Sequence, residues 1–557
     1  MKLKIQVLVF FLSLTLLSIA QVRTVGTIFN SDESLDGFTF YSPFSSESAF
    51  MVDNCGALVN QWDRGTRPGL AAYFLESGNM LRTYKVNPEG PFTSASNAGG
   101  LELVDWENNT VWSYELNTST ELSHHDAVQM PNGNFLMLTW ELIFEDELIA
   151  MGRDPNQIAP QGFAWNERII EVRPVGADDV EIVWEWRIRD HYIQDRDNTL
   201  SNFGDVAENA QLFDINLADI NSSNSHADFD YNHFNAIDYN PELDQILISV
   251  RNSDEVWIID HSTTTEEAAG HTGGNSGMGG DILYRWGNPS AYKAGPISEQ
   301  VLFGQHGVHW LTNGPEAGNI LIFNNGNGRP GTDFSTIEIL EPPLMTDGNY
   351  TKNGIDPFGP LSPKWKYGDG AGENFNSPFL SNAQYLDNGN FLINVGSRGE
   401  IFEINPDREV VWEYVIPLFG DFPATQGQNV NNNATFRAYR FAKDFAGFNG
   451  LDTTPGSTIE SDPNPLVCNE ETNSIIEQGN QTDITIINLP SQIQIENPSN
   501  QEVSVQVFDV QGRLVSNFKF NGASHLLEKQ DLSSGLYFVT AIIDVHNFVS
   551  QQVIVTK

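Results

Sequence analysis

The pattern apolar–apolar–aromatic–x–aromatic recurs along this chain, and the recurrence restricts the folds open to it. It reads LVNQW (58–62), TVWSY (110–114), IVWEW (182–186), ILYRW (282–286), PKWKY (363–367) and VVWEY (410–414). The first copy lacks its inner aromatic and the fifth its apolar pair. After each of the first five comes a turn and an apolar strand: ESGNMLRTY, PNGNFLMLT, NPELDQILISV, NGPEAGNILIF and DNGNFLINV. Asn-Gly pairs followed by β-rich runs are hairpin punctuation. Alternating strands at irregular spacing with little helical periodicity predict an all-β fold, a propeller of six four-stranded blades. Residues 50–62 are expected to supply the outer strands of one blade, and TFRAYRF (435–441) its inner strands, closing the circle. A large array of β-sandwiches would not produce six aromatic strands with five turn strands between them.

The ends of the chain read differently. Lys2 and Lys4, the apolar stretch Ile5 to Leu17 and the small residues Ser18-Ile19-Ala20 predict a signal peptide over 1–20. No other run approaches the ~20 apolar residues of a membrane span, so none is expected. The propeller is expected over 21–450 and a Pro/Thr/Ser/Glu-rich linker over 451–479. Short alternating strands over 480–557, including DVQGRLV and DLSSGLYFV, predict a small C-terminal β-sandwich. Cys55 and Cys468 are the only cysteines, in a compartment that permits a bridge between them. The formal net charge of −44 excludes nucleic acid and anionic membrane as partners. It also requires that any anion site carry its own local cations.

Those cations are found by counting back from the hairpin turns. His125 stands seven residues before Asn132, His233 seven before Asn240 and His306 seven before Asn313, with Ser381 at the corresponding place of the next repeat. Innermost strands line the channel of a propeller, so these positions are expected to ring one mouth. Arg251, Arg329 and Arg398 follow the returning strands, and Arg437 opens the closing strand. Imidazoles and guanidiniums around an open channel suit an oxyanion such as sulfate or phosphate. His309 and His124 each lie beside a ring member and are read as packing or supporting residues. His191, His226, His261, His271, His525 and His546 are assigned no role.

At this point the chain resembles the bacterial arylsulfate sulfotransferases. The resemblance rests on DGFTF (36–40), on HFNAIDYN with Arg251 eighteen residues beyond His233, on QHGVHWLTNGPEAGNILIFNNGNGR (305–329) and on FRAYRF (436–441). It implies a six-bladed propeller that moves a sulfuryl group from a small phenolic sulfate to a phenolic acceptor, with no nucleotide donor, no cofactor and no metal. It also implies that His306 carries the sulfuryl group and that His125, His233, Asn235 and Arg251 support it. Neutral imidazole is a competent nucleophile near neutral pH, so a ping-pong reaction through N-sulfohistidine is expected. Arg329, Arg437 and Ser381 are expected to contact substrate, and Trp310 to stack on the aryl ring. Asn324-Asn325-Gly326 stands where the family usually reads Asp-Asn-Gly. The segment Gln21–Ala49 is too short for the N-terminal sandwich of some members, and Cys55 and Cys468 do not reproduce the disulfide that some carry near the site.

The tail resembles the C-terminal sorting domains of the Bacteroidetes type IX secretion system. That implies contact with the secretion machinery and a secreted or surface-attached product. Two other readings stay open. One is a silent propeller binding an anion or sulfated glycan; the other is a metal-dependent hydrolase or lyase using the same histidines. A full histidine ring exceeds what binding needs, and nearby arginines would repel a cation.

Overall fold

A computed structural model describes residues 23–217, 229–331, 333–370 and 372–463 of the first part of the chain. In the C-terminal part it describes 485–488, 492–498, 502–509, 514–529, 532, 535–544 and 547–555. The expected signal peptide, most of the linker, Cys468, His226 and His546 lie outside the described residues. The chain divides into two units, Met1–Leu466 and Val467–Lys557. Among the described residues no helix is long and apolar enough to cross a membrane.

The first unit is built of antiparallel meanders. After β1 (Gly26–Asn30) come β2 (Gly37–Pro43), β3 (Ser48–Asp53) and β4 (Leu58–Asp63). The next meander is β5 (Pro68–Phe74), β6 (Met80–Lys85), β7 (Gly99–Val104) and β8 (Thr110–Glu115). It is followed by β9 (Glu121–Gln129), β10 (Phe135–Phe144), β11 (Phe163–Val175) and β12 (Asp179–Arg187). A short parallel pair, β13 (Tyr192–Ile193) and β14 (Phe213–Asp214), leads to β15 (Phe234–Asn240), β16 (Gln245–Val250), β17 (Glu255–Asp260) and β18 (Ile282–Trp286). Then come β19 (His306–Trp310), β20 (Ile320–Asn324), β21 (Thr336–Leu340) and β22 (Trp365–Tyr367). The last full meander is β23 (Asn382–Tyr385), β24 (Phe391–Val395), β25 (Glu400–Ile404) and β26 (Val410–Val415), with β1 added outside β26. A hairpin, β27 (Leu418–Phe419) with β28 (Phe422–Pro423), precedes β29 (Thr435–Ala442), which pairs with β2.

The closing sheet therefore has the order β29-β2-β3-β4. Residues 435–441 supply one inner strand rather than two; the second is β2, which opens with the GFTF of DGFTF. Gly37 opens that strand because a Cβ there would lie 2.2 Å from the Phe441 carbonyl oxygen. First strands lie against one another in a closed circle: β5 on β9, β9 on β15, β15 on β19, β19 on β23, β23 on β29 and β29 on β5.

The repeated aromatics explain how the circle holds. Every copy of the motif falls on the last strand of its meander, and its tryptophan docks on the loop between the third and fourth strands of the next. Trp62 Nε1 donates to Asp105 O at 2.8 Å, Trp112 to Asp179 O at 3.3 Å and Trp186 to Gly280 O at 2.7 Å. Trp286 donates to Pro360 O at 2.6 Å, and Trp412 to Asn54 O at 2.8 Å. Trp365 is covered instead by the Arg408 guanidinium, 5.5 Å from its ring centre. The five donating indoles fill the space between sheets and each satisfies a backbone carbonyl that packing would otherwise leave unpaired.

First strands are edge strands, whose free N–H and C=O groups need partners. Side chains of the neighbouring first strand supply them. Asp126 accepts from Ile237 N at 3.0 Å, Asp238 from Trp310 N at 2.7 Å, and Asn382 from Ala438 N at 3.0 Å.

The second unit has two sheets, one of β30 (Thr485–Asn488), β31 (Gln492–Glu496) and β34 (Ser524–Glu528). The other contains β32 (Glu502–Asp509), β33 (Leu514–Asn521), β35 (Gly535–Asp544) and β36 (Asn547–Val555), in the order β33-β32-β35-β36. Ile493, Ile495, Val503, Val505, Val507 and Val539 form their shared core.

Candidate active site

Three histidines that are far apart in sequence meet because three first strands begin at the same end of the circle. A register shift interrupts the pairing of each with its second strand: at Met137/Thr139, at Phe234/Ala236 and at His306/His309. Bulges of this kind re-aim a side chain at the cost of regular pairing. His125 and His233 adopt left-handed backbone, φ 46° and 54°, as does Ser381 at the corresponding place, φ 89°. Such conformations cost roughly 1–3 kcal/mol each in a non-glycine residue.

The strands enclose a cavity of about 530 Å³ lined by His125, His233, His306 and Arg251 and walled by apolar side chains, among them Phe44, Leu70, Phe379 and Phe436. The rings of His125 and His233 meet edge to face with centroids 4.6 Å apart. Phe436 lies 6.4 Å from His125 and 6.3 Å from His306, closing the floor between them.

Each imidazole is held by its Nδ1. His306 Nδ1 lies 2.9 Å from Gly304 O and 2.8 Å from Asn325 Oδ1. The Asn325 amide is oriented unambiguously, since its Nδ2 donates to Ser377 O at 2.7 Å and Leu380 O at 3.0 Å. Both neighbours of His306 Nδ1 are therefore acceptors, the proton resides on Nδ1, and Nε2 keeps its lone pair. Burial first, and then the Arg251 charge, push the His306 pKa down to about 3, so the ring is neutral at physiological pH. His233 Nδ1 donates to the buried Asp230 at 2.5 Å, which fixes the orientation of the ring.

His125 is held by a longer chain. Its Nδ1 lies 2.8 Å from His124 Nδ1, and His124 Nε2 lies 3.1 Å from Glu167 Oε2. His124 is clamped flat on Trp140, centroids 4.1 Å apart. Glu167 Oε1 accepts from Phe234 N at 2.8 Å and Trp140 Nε1 at 3.4 Å, so an acidic proton belongs on Oε2. Burial, together with the Asp230 charge, raises the Glu167 pKa well above the usual carboxyl range. Burial lowers His124 to about 3 and holds His125 well below its ordinary value. A protonated Glu167 donates to His124, His124 to His125, and His125 is left with an N–H on Nε2.

The family model described as arylsulfotransferase (ASST) matches residues 31–415. The chain belongs to the arylsulfotransferase family. Membership supports aryl sulfotransferase activity, and the match spans every residue lining the cavity except Ala434 and Phe436. A second model, described as a secretion system C-terminal sorting domain, matches residues 482–556 and indicates export to the surface or the medium. No curated protein matches the chain. Among solved structures, a protein of unknown function from Bacteroides caccae is 10% identical, with a TM-score of 0.39, covering 73% of this chain and 100% of that one. Virginiamycin B lyase from Staphylococcus aureus is 11% identical, with a TM-score of 0.30, covering 72% of this chain and 86% of that one. The Cps50 (Swd1) β-propeller domain of Myceliophteria thermophila is 8% identical, with a TM-score of 0.33, covering 77% and 95%.

In this arylsulfotransferase the other expected substrate contacts stand outside the cavity lining. Asn235 is fully buried and its Nδ2 donates to Gln305 O at 2.8 Å, so it holds the strand that carries His306. Arg437 bonds Asp126 at 2.6 Å and the Tyr73 hydroxyl, because a guanidinium on a channel strand must be neutralised where it is buried. Arg329 lies over Phe334, 4.2 Å from the ring centre. Ser381 Oγ bonds Ser377 Oγ and Gly396 N, bracing the turn rather than facing a ligand. Trp310 is at the far end of β19, with His309, on a separate cavity of about 430 Å³. The apolar wall near His306 is Phe44, Phe379 and Phe436 instead. Asp230, Glu167 and Asn325 were not anticipated; only the adjacency of Asp230 and His233 and the His124-His125 pair hinted at supported imidazoles.

Proposed function

We propose that this chain is a six-bladed propeller that transfers a sulfuryl group from a phenolic sulfate ester to a phenolic acceptor through a sulfated His306. The closed circle of first strands and the tryptophans linking each sheet to the next support that blade count. The observation that carries the mechanism is the pinning of His306 Nδ1 between two acceptors, which leaves Nε2 as a neutral nucleophile.

In the first half-reaction Nε2 attacks sulfur in line and the S–O bond to the phenol breaks. The product is an N-sulfoimidazolium whose positive Nδ1–H is stabilised by Gly304 O and Asn325 Oδ1. Arg251 supplies the fixed positive charge for the sulfuryl oxygens, in an apolar cavity where it counts for more than in water. The departing phenolate takes the Nε2 proton of His125. That proton is replaced through His124 from Glu167, which becomes a carboxylate held by Phe234 N–H and Trp140 Nε1–H. In the second half-reaction His233, backed by Asp230, orients the acceptor phenol, whose proton returns along the same chain as its oxygen displaces His306. Asn235 acts by holding the His306 strand, and Arg437, Arg329 and Ser381 by bracing the channel and its turns.

We place the signal peptide at 1–20, the propeller at 21–450, the linker at 451–479 and a β-sandwich sorting domain at 480–557, giving a secreted or surface enzyme. The test is release of 4-nitrophenol from 4-nitrophenyl sulfate by the tag-free protein. Added phenol should accelerate release with matching formation of phenyl sulfate, unchanged by a chelator. Release of inorganic sulfate alone would make the protein a hydrolase; no release would leave the silent anion-binding reading.

A further inference from the structure

Away from the cavity, three side chains assigned to nothing so far converge between two neighbouring sheets. His191 ends the turn Ile188–His191 after β12, His271 lies in the loop after the short helix Thr265–Ala268, and Asp281 immediately precedes β18. Their candidate ligand atoms all lie within 4.8 Å of one another. His191 and Asp281 are buried, whereas His271 is 59% exposed.

The hydrogen bonds fix how the donor atoms point. His191 Nε2 lies 2.9 Å from Ala268 O, and a carbonyl can only accept, so Nε2 carries the proton. His191 Nδ1 faces Asp281 Oδ1 at 2.8 Å. His271 Nδ1 converges on the same oxygen at 2.7 Å. Two imidazole nitrogens and a carboxylate oxygen thus gather around one point. The bond from the far nitrogen of His191 to a backbone carbonyl is the arrangement that orients metal-bound histidines. His191 is further fixed by stacking on Trp186, centroids 5.3 Å apart and planes within 5°. Gly280 lets the loop close over it, since a Cβ there would lie 2.0 Å from Ala268 O.

We infer that His191, His271 and Asp281 bind a divalent transition-metal ion of the zinc class, clipping the loop before β18 onto the end of β12. The two-nitrogen, one-oxygen donor set favours such an ion over calcium or magnesium. Tetrahedral bonds of about 2.0–2.1 Å put ligand atoms about 3.3 Å apart. Admitting the ion therefore needs Asp281 Oδ1 to part from His271 Nδ1 by about 0.6 Å and from His191 Nδ1 by about 0.5 Å, and the exposed His271 ring is free to take up the first of these. His271 also borders a cavity of about 470 Å³, so water can reach the fourth position. The chain's net charge of −44 attracts cations to such a site.

The experiment uses the full, tag-free chain stripped with chelator and titrated with zinc by calorimetry and with cobalt by visible absorption. One equivalent of each should bind, cobalt should give a tetrahedral d–d band, and zinc should raise the Tm. His271→Ala, at an exposed position, should fold and keep transferase activity while weakening zinc by more than the roughly 10–100-fold cost of losing a mere supporting hydrogen bond. Asp281→Asn should weaken it comparably. No binding to the wild type, or equal affinity in His271→Ala and wild type, would overturn the assignment.

Discussion

Glu167→Gln separates a proton relay from mere scaffolding. Glutamine matches glutamate in shape, and its Oε1 can still accept from Phe234 N and Trp140 Nε1 while its Nε2 donates to His124. The links of 3.1 Å and 2.8 Å to His124 and His125 survive, so His125 still presents an N–H to the cavity. The amide cannot surrender its proton, however, so His125 cannot pass one on without leaving an anion behind it. General acid assistance is worth about 10²–10⁴-fold, or about 2.7–5.4 kcal/mol of barrier. That help matters for a basic leaving group and hardly at all for 4-nitrophenolate, which departs unprotonated. The variant should therefore lose about 10²–10⁴-fold in kcat/KM on phenyl sulfate, with less than about tenfold loss on 4-nitrophenyl sulfate. Steady-state rates over a series of substituted phenyl sulfates give the comparison. An equal loss on both substrates would refute the relay and leave Glu167 a structural residue.

Other consequences follow from the same geometry. Arg251→Met removes the guanidinium that lines the cavity and should cost about 10²–10³ in kcat, read from initial rates at saturating donor. His261, far from the cavity, is driven down by burial but more strongly up by Asp244 at 2.7 Å and Glu171 at 3.1 Å, ending at about 9. A group raised above its unfolded value of 6.5 stabilises fully below about pH 6.5 and loses that contribution as pH rises through about 9, at most about 3 kcal/mol. The Tm gap between wild type and His261→Gln should accordingly be wide at pH 6 and close by pH 10, and parallel curves would contradict it.

The circular plan was legible because it rests on repetition. Trp62, Trp186 and Trp286 stand at the fifth position of the motif and Trp112 and Trp412 at the third, yet all five perform one task, so recurrence of the aromatic motif revealed them. His125, His233 and His306 were found the same way, by their common distance from a turn. Glu167 was not, because it belongs to an ordinary strand, β11, and matters only through its packing against His124 and Phe234. Arg437 misled for a related reason. It was expected to contact substrate because it opens the closing strand, but Asp126, 311 residues away in sequence, claims its charge. Trp310 shares a strand with His306, and the length of that strand carries it to the opposite end. Repeats disclose what symmetry dictates, whereas partners that break symmetry are set by packing.

The proposed transfer requires a covalent bond between sulfur and His306. Brief exposure of the enzyme to an aryl sulfate without acceptor, followed by quenching at alkaline pH and peptide mass spectrometry, should find one added sulfuryl group on the peptide bearing His306, removed when phenol is supplied. An active enzyme that carries no such group, or carries it on His125 or His233, would contradict it.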